Sequence, residues 1–288
     1  MQRSNGDTRD AWLMLAPFLC FFALFVLYPL AANVYYSFTN YNLTDNYKFV
    51  GLRNYLRCFG DAAFLKALSN TAMFALVSVV SLTAVGFLAA AALNRTARGV
   101  KWLRTLLLFP YATSMAAVSM IWLMMYDPTT GFLNKALRAL GLPAVKWLFD
   151  PSTALGSLIF VNVWKNIGYC MLIYLAGMQA IPRDVYEAGT VDGASEWTKL
   201  IHITLPMIRQ VAFFVLVTTT VESFKTFEQV QVMTRGDPLY ATTTIVHQIY
   251  MRGFSEFKMG YASAMAVLLL IIVLAVTLMS DRLNRRLD

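Results

Sequence analysis

"YEAGTVDGASEWTKLIHITLP", residues Tyr186–Pro206, is a polar, glycine-broken, proline-ended stretch between two long hydrophobic runs. It reads as a pair of short amphipathic helices. Pro182 suits a first helical turn, where its missing N–H costs nothing. Asp184 and Glu187 place negative charge near that positive helix end. Gly193 accepts the left-handed geometry that stops a helix, and Asp192 can then cap a second helix from about Ala194 to Ile203. There Trp197, Leu200 and Ile201 fall on one face, and Pro206 ends the helix and starts the next apolar run. Ala188, Gly189 and Gly193 keep one surface small, so another protein can approach closely. Periodicity alone suits a bed of lipid headgroups and a protein partner equally well.

The surrounding chain has 288 residues, of which 58% are hydrophobic and only 14% charged. A soluble domain carries about twice that charge. Six apolar runs, near 11–37, 70–93, 102–126, 153–181, 207–231 and 261–280, each suffice for a membrane-crossing helix of about 20 residues. They are continuous rather than alternating, which excludes a transmembrane barrel. The expected class is therefore an all-α polytopic membrane protein with six transmembrane helices. Arg3 and Arg9 precede the first run as in a signal peptide, but Ala11–Ala32 is longer than the usual apolar core of one, so a retained helix is expected.

Net charge is +8, and its placement orients the chain. Asn94–Arg104 holds Arg95, Arg98, Lys101 and Arg104, and the tail after Ser280 holds Arg282, Arg285 and Arg286. By the positive-inside rule both termini and 182–206 are cytoplasmic, with 38–69 and 232–260 outside. These basic residues border membrane spans, so no nucleic-acid partner is expected. Cys20 and Cys170 lie in spans and Cys58 stands alone in an outside loop, which makes no disulfide framework. Gly236-Asp237-Pro238 is a turn signal, and Ala241–Arg252 then reads as a short helix outside the membrane. The chain lacks a phosphate-binding GxxxxGK[ST] loop, a nucleophile elbow and a metal-spaced cluster; His202 and His247 are far apart. Energised work would draw on another subunit.

Two spans carry polar stripes. Thr218, Glu222, Lys225 and Gln229 recur at i, i+4, i+7 and i+11, one narrow stripe rising roughly 16 Å on a continuous helix, with Glu228 beside it. Glu222 and Lys225 can pair at i, i+3. Asn162, Lys165, Asn166 and Tyr169 repeat the pattern at i, i+3, i+4 and i+7, with Trp164 and Tyr174 nearby. Sugars are held by hydrogen bonds to such groups and by aromatic rings against their C–H faces. Asn162 or Thr218 alone reads best as interhelical glue. Two aligned stripes with lysines and carboxylates read better as a water-filled pathway. Met and Phe residues read as lipid-facing or packing, and Pro17, Pro29 and Pro110 as kinks.

The segment Glu187-Ala188-Gly189, three residues, Gly193, nine residues, Ile203-x-Leu205-Pro206 resembles the EAA signature of permease subunits in ATP-binding-cassette importers. Its one departure is Gly189 for the second alanine. "FVLYPLAANVYYSFTNYN", "FKTFEQVQVMTRGDP" and "FKMGYASAMAVLLL" are similar to the carbohydrate-importer branch, near maltose- and glycerol-phosphate-type permeases, and the resemblance spans nearly the whole chain. It implies the type I ABC importer permease fold: a single transmembrane permease domain, 1–288, with a cytoplasmic coupling-helix pair at 182–206. Glu187, Ala188, Gly189, Asp192, Gly193, Trp197, Ile203, Leu205 and Pro206 would couple it to an ATPase. The implied partners are a second homologous permease subunit, two copies of an ABC ATPase, an extracytoplasmic solute-binding protein and the lipid bilayer. ATP and Mg would sit on the ATPase, and this chain would bind no cofactor and be no enzyme. The implied location is the bacterial cytoplasmic (inner) membrane, multi-pass.

The expected function is import of a sugar or oligosaccharide by alternating access. Glycerol phosphate, a polyol or an acidic sugar is the alternative; a non-transport membrane scaffold or enzyme is the alternative of another class. The stripes, rather than the resemblance, supply the pathway candidates Asn162, Lys165, Asn166, Tyr169, Glu222, Lys225, Glu228 and Gln229.

Overall fold

A chain this apolar must satisfy its backbone internally wherever lipid surrounds it, and helices do so within one segment. The computed structural model describes residues 5–95 and 97–286, without the side chains of residues 5–11, 283, 285 and 286. Arg3 and the side chain of Arg9, which entered the signal-peptide reading, and the side chains of Arg285 and Arg286, which entered the charge argument, lie outside the described residues. Within them there is no strand, only an isolated bridge between Thr39 and Phe49. The α-helices are α1 (Asn5–Phe22), α2 (Tyr28–Ser37), α3 (Arg53–Gly60), α4 (Ala62–Leu93), α5 (Val100–Ala112), α6 (Met115–Met125), α7 (Phe132–Ala139) and α8 (Ala154–Gln179). They continue as α9 (Arg183–Val191), α10 (Glu196–Lys199), α11 (Leu205–Met207), α12 (Arg209–Phe224), α13 (Glu228–Met233), α14 (Ile245–Tyr250) and α15 (Met259–Arg286).

Four continuous stretches are long and apolar enough to cross a membrane: Trp12–Ser37, Ala62–Leu93, Ala154–Gln179 and Met259–Arg282. The other two expected spans are broken. α5 and α6 meet at 100°, and Glu196–Met207 meets Arg209–Met233 at 73°. The first break lies at Thr113 and Ser114, both extended, and not at Pro110. The Thr113 hydroxyl donates to the Pro110 carbonyl at 2.6 Å and so occupies an acceptor that the ended helix leaves open. The second break is at Ile208, two residues beyond Pro206, which sits inside α11. Proline instead leaves its mark just upstream. A π turn covers Ala23–Leu27 before Pro29 and another covers Leu200–Thr204 before Pro206. In each case proline cannot donate to the carbonyl four residues back, and that residue lies within the widened turn.

The chain divides into two compact units, residues 1–62 with 248–271, and 63–247 with 272–288. In the first, Trp12–Ala31 is exposed throughout, as expected of a helix apolar all round and facing lipid or another subunit, and burial is reached only at its end, with Ser37. Asp61 accepts from the Tyr261 hydroxyl at 2.8 Å and from Arg252 at 3.3 Å. The Asn54 amide donates to the carbonyls of Ser37 and Thr39. Cys58 is buried, and burial pushes its thiol up to about 11, which leaves it unreactive.

In the second unit, Leu82, Met171, Tyr174, Ile208 and Val215 form one core among α4, α8 and α12. Phe74, Trp122, Leu158 and Val230 form another among α4, α6, α8 and α13. The expected helix at 241–252 begins only at Ile245. Thr242, Thr243 and Thr244 are buried and their segment is held by tertiary hydrogen bonds. The Asn70 amide donates to Tyr240 and Thr243 carbonyls, and Thr71 accepts from the Ile245 N–H at 3.0 Å.

Close helix contact depends on glycine at one point in particular. A methyl group on Gly168 of α8 would overlap the Leu107 carbonyl oxygen of α5, whereas one on Gly156 would meet nothing within 4 Å. Gly168→Ala is expected to destabilise the protein by about 1–3 kcal/mol through overpacking. Gly156→Ala is expected to stabilise it by about 0.5–1 kcal/mol. Thermal unfolding of the two purified variants checks this, and equal midpoints would refute the close approach of α5 to α8.

Candidate transport site and coupling hairpin

A cavity of about 630 Å³ opens within the second unit, beside the break between α5 and α6 and the interruption between α12 and α13. Its lining includes Asn162, Lys165, Asn166 and Tyr169 from α8, and Thr218, Glu222, Lys225, Glu228 and Gln229 from the α12–α13 region. The two polar stripes thus face one space. They do not do so as the continuous helix that the i, i+4, i+7, i+11 spacing assumed. α12 stops at Phe224, Lys225 caps it, and α13 starts again at Glu228. The break swings Gln229 inward, where it is 1% exposed.

Lys165 is 7% exposed. Its ammonium donates to the Tyr111 carbonyl at 3.2 Å, in the last turn of α5, where the helix presents its partial negative charge. It also lies 5.3 Å from the centre of the Tyr111 ring, within range of a cation–π contact. Tyr111 stacks on Tyr169 with ring centroids 4.6 Å apart. Glu222 and Lys225 form an exposed ion pair at 2.8 Å. The Gln229 amide donates to Thr226 at 2.9 Å, while its buried carbonyl oxygen has no partner among the described residues. Asn162 donates to Ser78 of α4 at 3.2 Å and Asn166 donates back to Asn162. These two amides therefore join helices as well as line the cavity. The Thr218 hydroxyl is spent on its own helix, on Phe214.

The 182–206 segment is a tight helical hairpin. Pro182 precedes α9, with Asp184 in its first turn. Gly193, at φ +76°, closes the other end: its N–H reaches Thr190 and the Ala194 N–H reaches Gly189, a Schellman stop. Asp192 belongs to this stop as the C-cap of α9. The cap of the second helix is Ser195, whose hydroxyl accepts from the Thr198 N–H at 3.2 Å. That replaces the capping role expected for Asp192. The Lys199 ammonium, buried, ties the two helices by donating to Thr190 of α9 at 2.9 Å; it also pairs with Glu196 of its own helix at 2.8 Å, which holds the Glu196 carboxyl below its ordinary range. The Tyr186 and Thr204 hydroxyls bond at 2.9 Å. Gly189 is buried, and a methyl group there would lie 2.8 Å from Ile203 Cδ1. Its smallness therefore serves packing within the hairpin, not the approach of a partner as expected. Glu187, Ala188, Gly193, Trp197, Leu205 and Pro206 remain exposed.

Residues 82–288 match the family described as binding-protein-dependent transport system inner membrane component. The chain belongs to this family. It is 37% identical over 282 residues to the probable ABC transporter permease protein YurN of Bacillus subtilis (strain 168), covering 96% of each chain. To the sn-glycerol-3-phosphate transport system permease protein UgpA of Yersinia pestis bv. Antiqua it is 33% identical, covering 96% of this chain and 94% of that one. A bacterial alginate ABC transporter, solved with its alginate pentasaccharide-bound periplasmic protein, contains a chain that superposes with a TM-score of 0.88 at 25% identity, covering 99% and 98%. The protein is thus a multi-pass permease of an ABC importer with the type I fold, a transporter subunit and not an enzyme.

Several residues of this permease gave no sequence signal strong enough to single them out. Tyr111 enters the cavity only because α5 ends beside it. Lys199, Thr190 and Thr204 meet only because the hairpin closes. Ser195 was legible, since serine directly before glutamate marks a helix start. Lys199→Met is expected to remove two hydrogen bonds and loosen the hairpin by about 1–2 kcal/mol. Hydrogen exchange at the amides of 186–204 should quicken about tenfold, with α8 unaffected. Unchanged exchange would mean that Lys199 does not brace the hairpin.

Proposed function

We propose that this permease moves an uncharged sugar or oligosaccharide through the α8–α12 cavity, driven by an ATPase that grips the 182–206 hairpin. The main support is the cavity itself. Stacked tyrosines, three amide side chains and hydroxyls suit a polyhydroxylated solute. Of the charges that line it, Lys165 and Lys225 are balanced by Glu222 and Glu228. The named substrates of UgpA and of the alginate transporter are anionic, so an anion such as glycerol phosphate is the second reading. The matched charges favour a neutral solute.

Alternating access follows from the layout. The hairpin leads through Ile208 into α12, a rod of roughly 24 Å, whose far end carries Glu222 and Lys225. Rigid-body movement of the braced hairpin would therefore reach the cavity, and such rocking is a common transport device. The full assembly in this proposal has a second homologous permease, two ATPase subunits carrying ATP and Mg, and an extracytoplasmic solute-binding protein. It sits in a bacterial cytoplasmic membrane with both termini and the hairpin in the cytoplasm and 232–260 outside.

For the cavity, Lys165→Met and Gln229→Leu are expected to lower uptake per assembled complex at least tenfold while basal ATP hydrolysis persists. Unaltered uptake per complex in both would remove the cavity from the pathway. Stimulation of ATP hydrolysis by glycerol 3-phosphate, with no response to neutral di- and trisaccharides, would select the anion instead.

For coupling and orientation, Val191 and Leu239 are 88% and 81% exposed. On a background free of Cys20, Cys58 and Cys170, Val191→Cys should cross-link to the ATPase and escape an impermeant thiol reagent in intact cells. Leu239→Cys should be labelled. The reverse labelling pattern would invert the topology, and failure to cross-link would detach the ATPase from the hairpin.

A further inference from the structure

A second cavity of about 1010 Å³ lies at the hairpin end of the second unit, apart from the transport cavity. It collects the ends of three membrane helices: Asn94 just after α4, the first turn of α5, and Met178 and Gln179 at the end of α8. Among the described residues five cations line it, Arg95, Arg98, Lys101, Arg104 and Arg183, and no carboxylate does. None of the five forms an ion pair among the described residues. Arg95 lies within electrostatic reach of Glu196, but that carboxylate is already paired with Lys199.

Two further features have the same sign. Among the described residues no side chain caps the start of α5; the Val100 N–H is taken by the Ala97 carbonyl, and the positive end of the helix dipole lies at the cavity, beside Gly99, Lys101 and Trp102. Arg104 spends one guanidinium nitrogen on the Leu93 carbonyl at 2.6 Å, while its buried Nε has no partner among the described residues. Arg95, Arg98, Lys101 and Arg183 are exposed, so water reaches them, and their shared sign concentrates anions at the cavity.

The depth of the cavity indicates which anion. Leu93, Val100 and Gln179 are the ends of the apolar spans, so the cavity lies at the boundary between hydrocarbon and water. Trp102, 79% exposed, stands beside it at the level where tryptophan prefers to meet lipid headgroups. Basic pockets between transmembrane helices at this level take anionic headgroups.

We propose that this cavity is a binding site for the phosphate of an anionic phospholipid. Arg183 and Tyr186, which also line it, belong to α9, so a bound headgroup touches the coupling hairpin directly. The site stands whether or not the solute is a sugar, because its chemistry involves none of the transport cavity.

The test uses the assembled importer with its partner subunits, purified in nanodiscs of phosphatidylcholine carrying a minority of phosphatidylglycerol, with retained lipid read by native mass spectrometry. Wild type should keep phosphatidylglycerol over phosphatidylcholine. Arg98→Gln and Lys101→Gln should each cut that preference about fivefold, and the charge-keeping Arg98→Lys and Lys101→Arg should preserve it, which separates lost charge from lost folding. A wild type with no preference overturns the proposal. So does removal of the preference by inorganic phosphate alone, which would make the ligand a soluble anion. So does a double Gln variant that releases the ATPase but keeps its phosphatidylglycerol, which would make the cavity a protein contact.

Discussion

The ammonium of Lys165 resolves a conflict on which the polar interior depends. A membrane helix that stops inside the apolar layer leaves carbonyls that lipid cannot satisfy. α5 stops at Ala112, and Lys165 donates to the Tyr111 carbonyl in its last turn. A lysine in that layer is just as costly when alone. Each therefore makes the other tolerable: the helix end offers negative charge to the lysine, and the lysine offers a donor to the helix end. The Tyr111 ring beside the ammonium and its stack on Tyr169 complete one wall. With the span open at this point, α6 can turn away and a cavity can exist.

The hairpin uses different means for a related end. It has little apolar core, so polar bonds and glycine geometry hold its shape. Lys199 and the Tyr186–Thr204 pair bridge its helices. Gly189 and Gly193 contribute for separate reasons, the first because Ile203 fills the place of its missing methyl, the second because its φ is left-handed. A unit closed by such bonds keeps its form in water and moves as a whole, which suits the proposal that it passes force between an ATPase and α12.

Much of this is legible in the amino-acid sequence, for physical reasons. Six runs of apolar residues stand out because lipid imposes a minimum helix length, and the EAA spacing survives even with Gly189 substituted. The eight pathway candidates share one cavity, because lysines and carboxylates in an apolar span have few other places to go. The breaks were not legible. Nothing in Thr113-Ser114 or Lys225-Thr226-Phe227 requires a stop, and at the second the Thr226 carbonyl accepts from the hydroxyl of Thr244, distant in sequence. A periodicity argument assumes continuity, so it could gather Gln229 with Glu222 but could not show that a bend delivers it. The same holds for Ala241–Thr244, where Asn70 and Thr71, distant in sequence, displace the start of a helix.

The π turns ahead of Pro29 and Pro206, two of the three among the described residues, also bear on how this chain tolerates change in length. A π turn is in effect one residue inserted into an α-helix. Loss of one residue from Leu200–Thr204 would let the turn relax to ordinary α geometry with both flanks still in register. Loss of one residue elsewhere in the hairpin would rotate every later side chain by about 100° around the helix axis and turn Arg209 and the start of α12 away from their contacts. Among descendants of this chain, single-residue gaps should therefore gather just ahead of Pro29 and Pro206 and be rare between them and the cavity.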